Sequence, residues 1–377
     1  MSENLCAVDA EATSLSVVYH GETMRFHAIW LRDNAQDEHT RVGGSGQRLL
    51  TLTDIPNNTR IASAHISGER LLVTFSPDHY QTQYDLAWLR QHRYDKVAYR
   101  SAPWVASTIE TWNHDRQASL VVGDWRQMTA QPKAKADWLA CFLCDGFGVI
   151  NVGDTRDGAL HEVIAQFGYV RETNYGSLFN VRTEVNPSNL AFTGLGLQAH
   201  TDNPYRDPVP TVQILYCLEN SAAGGENMLV DGFACALRLY QETPEYFEVL
   251  SRYCARFEYV EKGNTILRSK RPMIELCADN QIRAIRFNNR SFAAPVDVPF
   301  EQMETYYAAY RAFAKIIDDP TMEISFKLNP GECFLVDNTR VLHARKGYSG
   351  SGNRWLQGAY ADIDGFRSTY DVLEEAV

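Results

Sequence analysis

The chain has 377 residues, 45% hydrophobic and 22% charged, which is enough apolar material for a large core plus one smaller domain and excludes a disordered or fibrous sequence. Its formal net charge of -11 argues against nucleic acid or an anionic membrane surface as a partner and is compatible with a cationic substrate. No basic leader and no apolar run long enough to span a bilayer stand out, so the expectation is a cytoplasmic protein.

The N-terminal part alternates in polarity and carries turn signals, which predicts a β-rich domain over residues 1–97. Strands over 14–19 and 23–30 flank a His20-Gly21-Glu22 turn, and strands over 60–67 and 70–75 flank Gly68-Glu69. The glycine-rich stretch 40–47 reads as a loop without phosphate-binding chemistry, and 85–92 reads as a short closing helix. A linker near Ser101-Ala102-Pro103 leads into the larger domain, residues 98–377.

From Lys133 the period becomes helical, with Trp138, Leu139, Phe142 and Leu143 on one face and Gly146 as a stop. A buried strand over 147–152 follows, then a second helix over 157–167 ended by Gly168. Further on, strands are expected over 211–218, 228–230, 282–287, 323–328 and 332–336. Two helices interrupt them: one begins at Thr243-Pro244-Glu245, and the other shows the stripe Phe300, Met303, Tyr307, Tyr310, Phe313 and Ile317. Strands joined by turns and not by regular crossover helices predict two packed antiparallel sheets, a jelly-roll with helices outside one face. The fold class is therefore mainly β with flanking helices, a double-stranded β-helix beside a small β-rich domain. The eight cysteines are scattered through apolar runs and read as reduced core residues, the Cys141/Cys144 pair included.

Within this frame His200-Thr201-Asp202 and the distant His343 form a candidate metal set. Two imidazoles and a carboxylate on one face of an ion leave the opposite positions open, as non-haem Fe(II) oxygenases require. The spacing puts His200 and Asp202 on one side of an extended segment. Arg354, eleven residues after His343, can grip a carboxylate in a bidentate pair, which suits 2-oxoglutarate.

Trp30-Leu31-Arg32-Asp33-Asn34, Asp145-Gly146-Phe147-Gly148, His200-Thr201-Asp202, Gly224-Gly225-Glu226, Val230-Asp231-Gly232-Phe233, His343-Ala344-Arg345 and Gly358-Ala359-Tyr360 run collinear with one known family. Through them the chain resembles the γ-butyrobetaine hydroxylase group of Fe(II)/2-oxoglutarate dioxygenases. The resemblance implies Fe(II) on His200, Asp202 and His343, with 2-oxoglutarate and O2 as co-substrates. It further implies that Arg354, Asn189 and Asn227 bind 2-oxoglutarate and that Leu215 packs on it. Tyr175, Phe179, Phe192 and Tyr360 match an aromatic cage for a trimethylammonium group, whose cation is attracted by ring faces and cannot donate hydrogen bonds. A homodimer is implied as well.

Two departures carry expectations of their own. Relatives hold a structural zinc with cysteines where this chain reads Ala35-Gln36-Asp37-Glu38-His39, with His79 left at the later position, so no structural zinc is expected. Near the anionic end of the substrate the chain offers Asn203, Tyr205, Asn288, Asn289 and Arg290, more than one carboxylate requires. That set suits a phosphonate, and 2-(trimethylammonio)ethylphosphonate is the expected substrate. γ-Butyrobetaine is the alternative, and a jelly-roll that holds a metal without turnover, as a sensor does, is a reading from another class. Arg354 discriminates against the latter, because its clamp would be idle there.

Overall fold

Apolar residues at alternate positions make the N-terminal strands one-sided: Leu15, Val17 and Tyr19 of Ser14–Tyr19 are buried while the residues between them are more open. The computed structural model describes residues 4–97, 100–182, 196–349 and 352–375. Its contacts divide the chain into two units, Met1–Tyr99 and Arg100–Val377. In the first, Leu5–Val8, Ser14–Tyr19 and Glu22–His27 form one antiparallel sheet, and Arg60–Ser67, Arg70–Ser76 and Gln81–Asp85 a second. Gly21 and Gly68 turn the two expected hairpins at φ of 78° and 61°, backbone that favours glycine.

The third strand stops at His27 and does not run to Trp30. Ala28–Asp33 is a helix that buries Ala28 and Leu31, and Phe26 meets Trp30 across one turn with ring centroids 5.3 Å apart. The closing helix is Leu86–Gln91, capped by the Asp85 carboxylate, which accepts from the amides of Ala87 and Trp88 at 2.8 and 3.1 Å.

Asp37, in the segment without cysteines, organises the chain between these elements. Its carboxylate accepts from the Tyr80 and Thr82 hydroxyls, each at 2.6 Å, and from the amides of His39 and Thr40 at 3.1 and 3.0 Å. Burial alone would raise its pKa, but these donors outweigh that and hold the carboxyl below the usual range.

In the second unit, a six-stranded sheet runs in the order Val122–Asp124, Phe147–Asn151, Glu332–Asp337, Val212–Asn220, Arg354–Ala361, Phe179–Val181. Only its first pair is parallel. A four-stranded antiparallel sheet, Leu197–His200, Val341–Arg345, Asn227–Asp231 and Glu323–Phe326, supplies the other layer. Leu215, Phe334 and Leu356 of the larger sheet share one apolar cluster with Leu229, Ile324 and Val341 of the smaller, so this cluster is the interior of the jelly-roll. The alternate residues Ile214, Tyr216 and Leu335 join the outer layer with Trp138, Phe142 and Phe167.

The helix Pro132–Asp145 ends at Gly146, φ 77°, as its sequence predicts. Trp138 then covers Gly148, where an added Cβ would lie 2.6 Å from the indole. The second helix is shorter than expected, Leu160–Ile164, although Leu160, Val163, Ile164 and Phe167 are all buried. Thr243 precedes Pro244–Arg252 but makes no side-chain cap. In the long helix Met303–Ile317 the buried face is Tyr306, Ala309, Phe313, Ile316 and Ile317. Phe300 is 91% exposed because it sits in a preceding 3₁₀ turn, whose tighter period puts it out of phase with the helix. Among the described residues no helix is long and apolar enough to cross a membrane.

Replacing Asp37 with Ala removes four accepted hydrogen bonds and is expected to destabilise the N-terminal unit by ~1–3 kcal/mol, measured by chemical unfolding. Elemental analysis of the purified protein is expected to find no stoichiometric zinc. One zinc per chain would overturn the reading drawn from the missing cysteines.

Candidate active site

His200 closes the strand Leu197–His200 and lies directly opposite His343 of Val341–Arg345 in the antiparallel register. The two rings are therefore neighbours, with centroids 4.4 Å apart. Asp202 is not on that strand, contrary to the expectation of one extended segment; it stands in the loop beyond. There its amide donates to Asn338 Oδ1 at 2.6 Å, and Asn338 Nδ2 donates back to its carbonyl at 2.9 Å and to that of Pro210 at 2.8 Å. This clamp turns the carboxylate toward the imidazoles. Asp202 Oδ1 lies 3.3 Å from His200 Nε2 and 3.8 Å from His343 Nε2, and one donor atom from each residue falls within 4.8 Å of the others.

Protonation fits a metal. His200 Nδ1 faces the Gln198 carbonyl at 2.7 Å and must donate to it, which leaves the Nε2 lone pair for an ion. Burial, with the charges of His200 and Arg290, pushes the His343 pKa down to about 3 against the pull of Asp202, so this ring is neutral at ordinary pH. Burial would raise the Asp202 pKa, but the adjoining imidazoles and the Tyr360 hydroxyl favour the anion and hold it well below the usual range. Its Oδ2 accepts from Gln213 Nε2 at 2.6 Å and Tyr360 OH at 2.7 Å. Two imidazoles and an oriented carboxylate suit a divalent iron.

Another group of donors, Glu110, Cys144 and Asp145, is also gathered within 4.8 Å. Arg116 pairs with Asp145 there, and Arg340 donates to the Cys144 and Glu110 carbonyls at 2.7 and 2.6 Å. Two guanidinium charges oppose a cation at that position.

The His200/Asp202/His343 set lines a cavity of about 410 Å³. On one part of its wall Arg354, 6% exposed, donates through Nη2 to Asn227 Oδ1 at 3.1 Å, with Leu215 nearby in the lining. Arg345 lines the cavity as well; it follows His343 by two residues on the same strand face, so the alternation of a strand already pointed to it. Elsewhere the wall is aromatic. Phe179 and Tyr360 have centroids 5.2 Å apart, and Tyr175 is 6.1 Å from Phe179. Gly358 pairs with Phe179 in register, and any Cβ at that position would enter the Phe179 ring. Asn189 and Phe192 lie outside the described residues.

The residues expected at the anionic end separate. Asn203 and Arg290 line the cavity, Arg290 from a position still open to solvent. Asn288 lines it too, but its amide is engaged in building the loop: Oδ1 accepts from the amides of Arg290 and Ser291 at 3.1 and 3.3 Å, and Nδ2 donates to the Thr201 carbonyl at 3.1 Å. Asn289 is not in the lining. Between two inward residues it points outward, where its amide bonds Gln198 and Tyr310. Tyr205 stands in the aromatic part of the wall, against Tyr175 and Tyr259. Tyr259 and Glu258 come from the hairpin of Cys254–Glu261 with Thr265–Pro272, which sequence reasoning did not find.

Comparison with known proteins covers nearly the whole chain. Residues 7–90 match the family described as "Gamma-butyrobetaine hydroxylase-like, N-terminal", and residues 114–360 match "Taurine catabolism dioxygenase TauD, TfdA family". The gamma-butyrobetaine dioxygenase of Pseudomonas sp. (strain AK-1) is 30% identical over 372 residues, 98% of this chain and 96% of that protein. The gamma-butyrobetaine dioxygenase of Homo sapiens is 27% identical over 95% of this chain and 94% of its own length. The mitochondrial trimethyllysine dioxygenase of Gallus gallus is 28% identical over 98% and 88%.

Asn338 touches no metal ligand atom but fixes the backbone of Asp202. Replacing it with Ala is expected to weaken Fe(II) binding by about 10–100-fold in an anaerobic titration, with the folded circular-dichroism spectrum retained. Unchanged affinity would remove the clamp from the metal site.

Proposed function

The chain belongs to the TauD, TfdA dioxygenase family, in its γ-butyrobetaine hydroxylase-like branch, and we propose that it hydroxylates 2-(trimethylammonio)ethylphosphonate at the carbon next to phosphorus. It is an Fe(II)- and 2-oxoglutarate-dependent dioxygenase, and its relatives act on trimethylammonium compounds. In this reading His200, Asp202 and His343 hold Fe(II), while Arg354 and Asn227 bind the far carboxylate of 2-oxoglutarate and Leu215 packs on its chain. Bound together, iron and 2-oxoglutarate supply an oxidant from O2, with succinate and CO2 as by-products and one oxygen atom delivered to the substrate.

The protein's own part is orientation. Tyr175, Phe179 and Tyr360, with Phe192, receive the trimethylammonium group on their ring faces. Asn203 and Arg290 receive the anionic end, Tyr205 and Asn288 support them, and the span between the two ends leaves one methylene toward the iron. Neither end is asked to move a proton.

The observation that carries the phosphonate reading is Arg290 in the lining of the same cavity as the aromatic wall. A phosphonate presents three oxygens and up to two charges, so a guanidinium and an amide can both be used on it. Hydroxylation of γ-butyrobetaine to carnitine is the second reading, favoured by the Pseudomonas relative. A homodimer belongs to the proposal on the resemblance alone.

Enzyme reconstituted with Fe(II) and 2-oxoglutarate is expected to add one oxygen to the phosphonate in step with succinate, followed by mass spectrometry. Arg290→Ala is expected to raise the KM for the phosphonate by about 10–100-fold, the range for a hydrogen bond to a charged group, with iron and 2-oxoglutarate binding unchanged. Better turnover of γ-butyrobetaine, untouched by Arg290→Ala, would replace the phosphonate by the carboxylate.

A further inference from the structure

Three tyrosines from separate segments meet in the aromatic part of the cavity wall. Tyr259 stacks on Tyr205 with centroids 5.1 Å apart and planes at 26°, and meets Tyr175 edge-on at 6.0 Å. The hydroxyls of Tyr175 and Tyr205 are 2.9 Å apart, and Tyr205 OH donates to Asn203 Oδ1 at 2.7 Å. A phenol has one hydrogen to give. With the Tyr205 hydrogen committed to Asn203, Tyr175 is the donor to Tyr205, and the chain runs one way, from Tyr175 to Asn203.

The end of that chain decides which way the Asn203 amide faces. Its oxygen is tied back to Tyr205, so Nδ2 is turned the other way. Nδ2 is buried, meets no hydrogen-bond partner among the described residues, and belongs to a side chain that lines the cavity. Asn203 is itself 3% exposed, and its φ of 53° lies in the left-handed region, where asparagine is one of the few tolerated side chains. A buried donor without a partner is unfavourable by itself and becomes favourable once an acceptor reaches it. Burial also pushes the Tyr205 pKa up to about 12 and that of Tyr175 higher still, so both phenols keep their hydrogens at ordinary pH.

We propose that Tyr175 and Tyr205 are positioning residues whose one-way hydroxyl chain presents Asn203 Nδ2 to an oxygen at the anionic end of the substrate. Because the Tyr175 ring also belongs to the cation-binding wall, one side chain touches the positive end of the substrate and sets the donor for its negative end. This inference rests on the zwitterion reading above, and it adds a mechanism by which the length between the two charges is selected.

The test is a double-mutant cycle on the enzyme loaded with Fe(II) and 2-oxoglutarate, using Tyr205→Phe, Asn203→Gly and the pair. Glycine keeps the left-handed backbone at 203, and Asn203→Asp is a second variant there that keeps the acceptor for Tyr205 while removing the donor. Each single variant is expected to raise the KM for 2-(trimethylammonio)ethylphosphonate or γ-butyrobetaine about five- to tenfold, with a smaller change in kcat. The double variant is expected to be no worse than Asn203→Gly, since Tyr205 acts through Asn203. Tetramethylammonium, a probe with a cation and no anion, is expected to compete equally well against wild type and Tyr205→Phe. Effects that multiply in the double variant would overturn the proposal, as would loss of tetramethylammonium competition in Tyr205→Phe. Wild type that turns over neither zwitterion would overturn the substrate reading and this inference together, an outcome distinct from multiplying effects on an active wild type.

Discussion

A single turn, residues 337–340, ties the metal site to the core. Arg340 and Asp231 form an ion pair at 2.9 Å with 1% and 0% side-chain exposure. Burying both charges would be strongly unfavourable without further hydrogen bonds, and here they are supplied. Arg340 donates to the carbonyls of Cys144 and Glu110 as well as to both oxygens of Asp231. Asp231 in turn accepts from the amides of Trp112 and Phe233 at 3.1 and 2.9 Å, the latter at the start of the helix Gly232–Glu242. The pair thus joins the end of the Asn227 strand, the end of one helix, the beginning of another and the entrance to the His343 strand. Close approach is part of it: a Cβ on Gly232 would lie 2.6 Å from the Arg340 carbonyl.

The same turn carries Asn338, which holds Asp202, and it leads directly into Val341–Arg345 with His343. Asp337 closes it by accepting from the Thr339 amide and hydroxyl at 2.9 and 2.6 Å. Two of the three metal-ligating residues are therefore fixed by consecutive parts of one short segment whose far side is locked in the interior. Strain or motion at the core end of this turn would reach Asp202 and His343 together. The third ligand, His200, gains its position from strand pairing with His343, so it follows the same frame.

His200, Asp202 and His343 were legible in the sequence because metal coordination restricts the residue types that can serve, and Arg354 because a two-point grip on a carboxylate calls for a guanidinium. The route to Asp202 was not legible: a two-residue spacing looked like strand alternation, whereas the geometry depends on an asparagine 136 residues away. Helix ends marked by Gly146 or Pro244 were readable from local backbone preference, but Phe300 falls off the buried face of Met303–Ile317 because it sits in a preceding 3₁₀ turn that apolar spacing does not reveal. Gln213, Glu258 and Tyr259 escaped for a different reason. Each sits on a strand whose partner must be known before its inward residues can be named, and the Cys254–Glu261 hairpin is so rich in charge that it gave little sign of a buried face. Asn289 was included because it adjoins Asn288 and Arg290 in sequence, although residues 289–290 form a turn closed by the Asn288 side chain, which leaves Asn289 to bond Gln198 and Tyr310 outside the cavity.

Tyr360 shows how the aromatic wall and the metal site constrain one another. Its ring lies 5.2 Å from Phe179, and its hydroxyl donates to Asp202 Oδ2 at 2.7 Å. Gln213 occupies the same oxygen, so the carboxylate is directed to the imidazoles through Oδ1 alone. The ring and the ligand are thereby held at a separation set by the length of one rigid side chain. A substrate whose charged head rests on that ring presents its carbons to the metal site at distances fixed by its own bonds. In the reading proposed above, selection of one C–H among several needs no acid or base; it needs Tyr360 to keep both contacts while the anionic end of the substrate is held at Asn203 and Arg290.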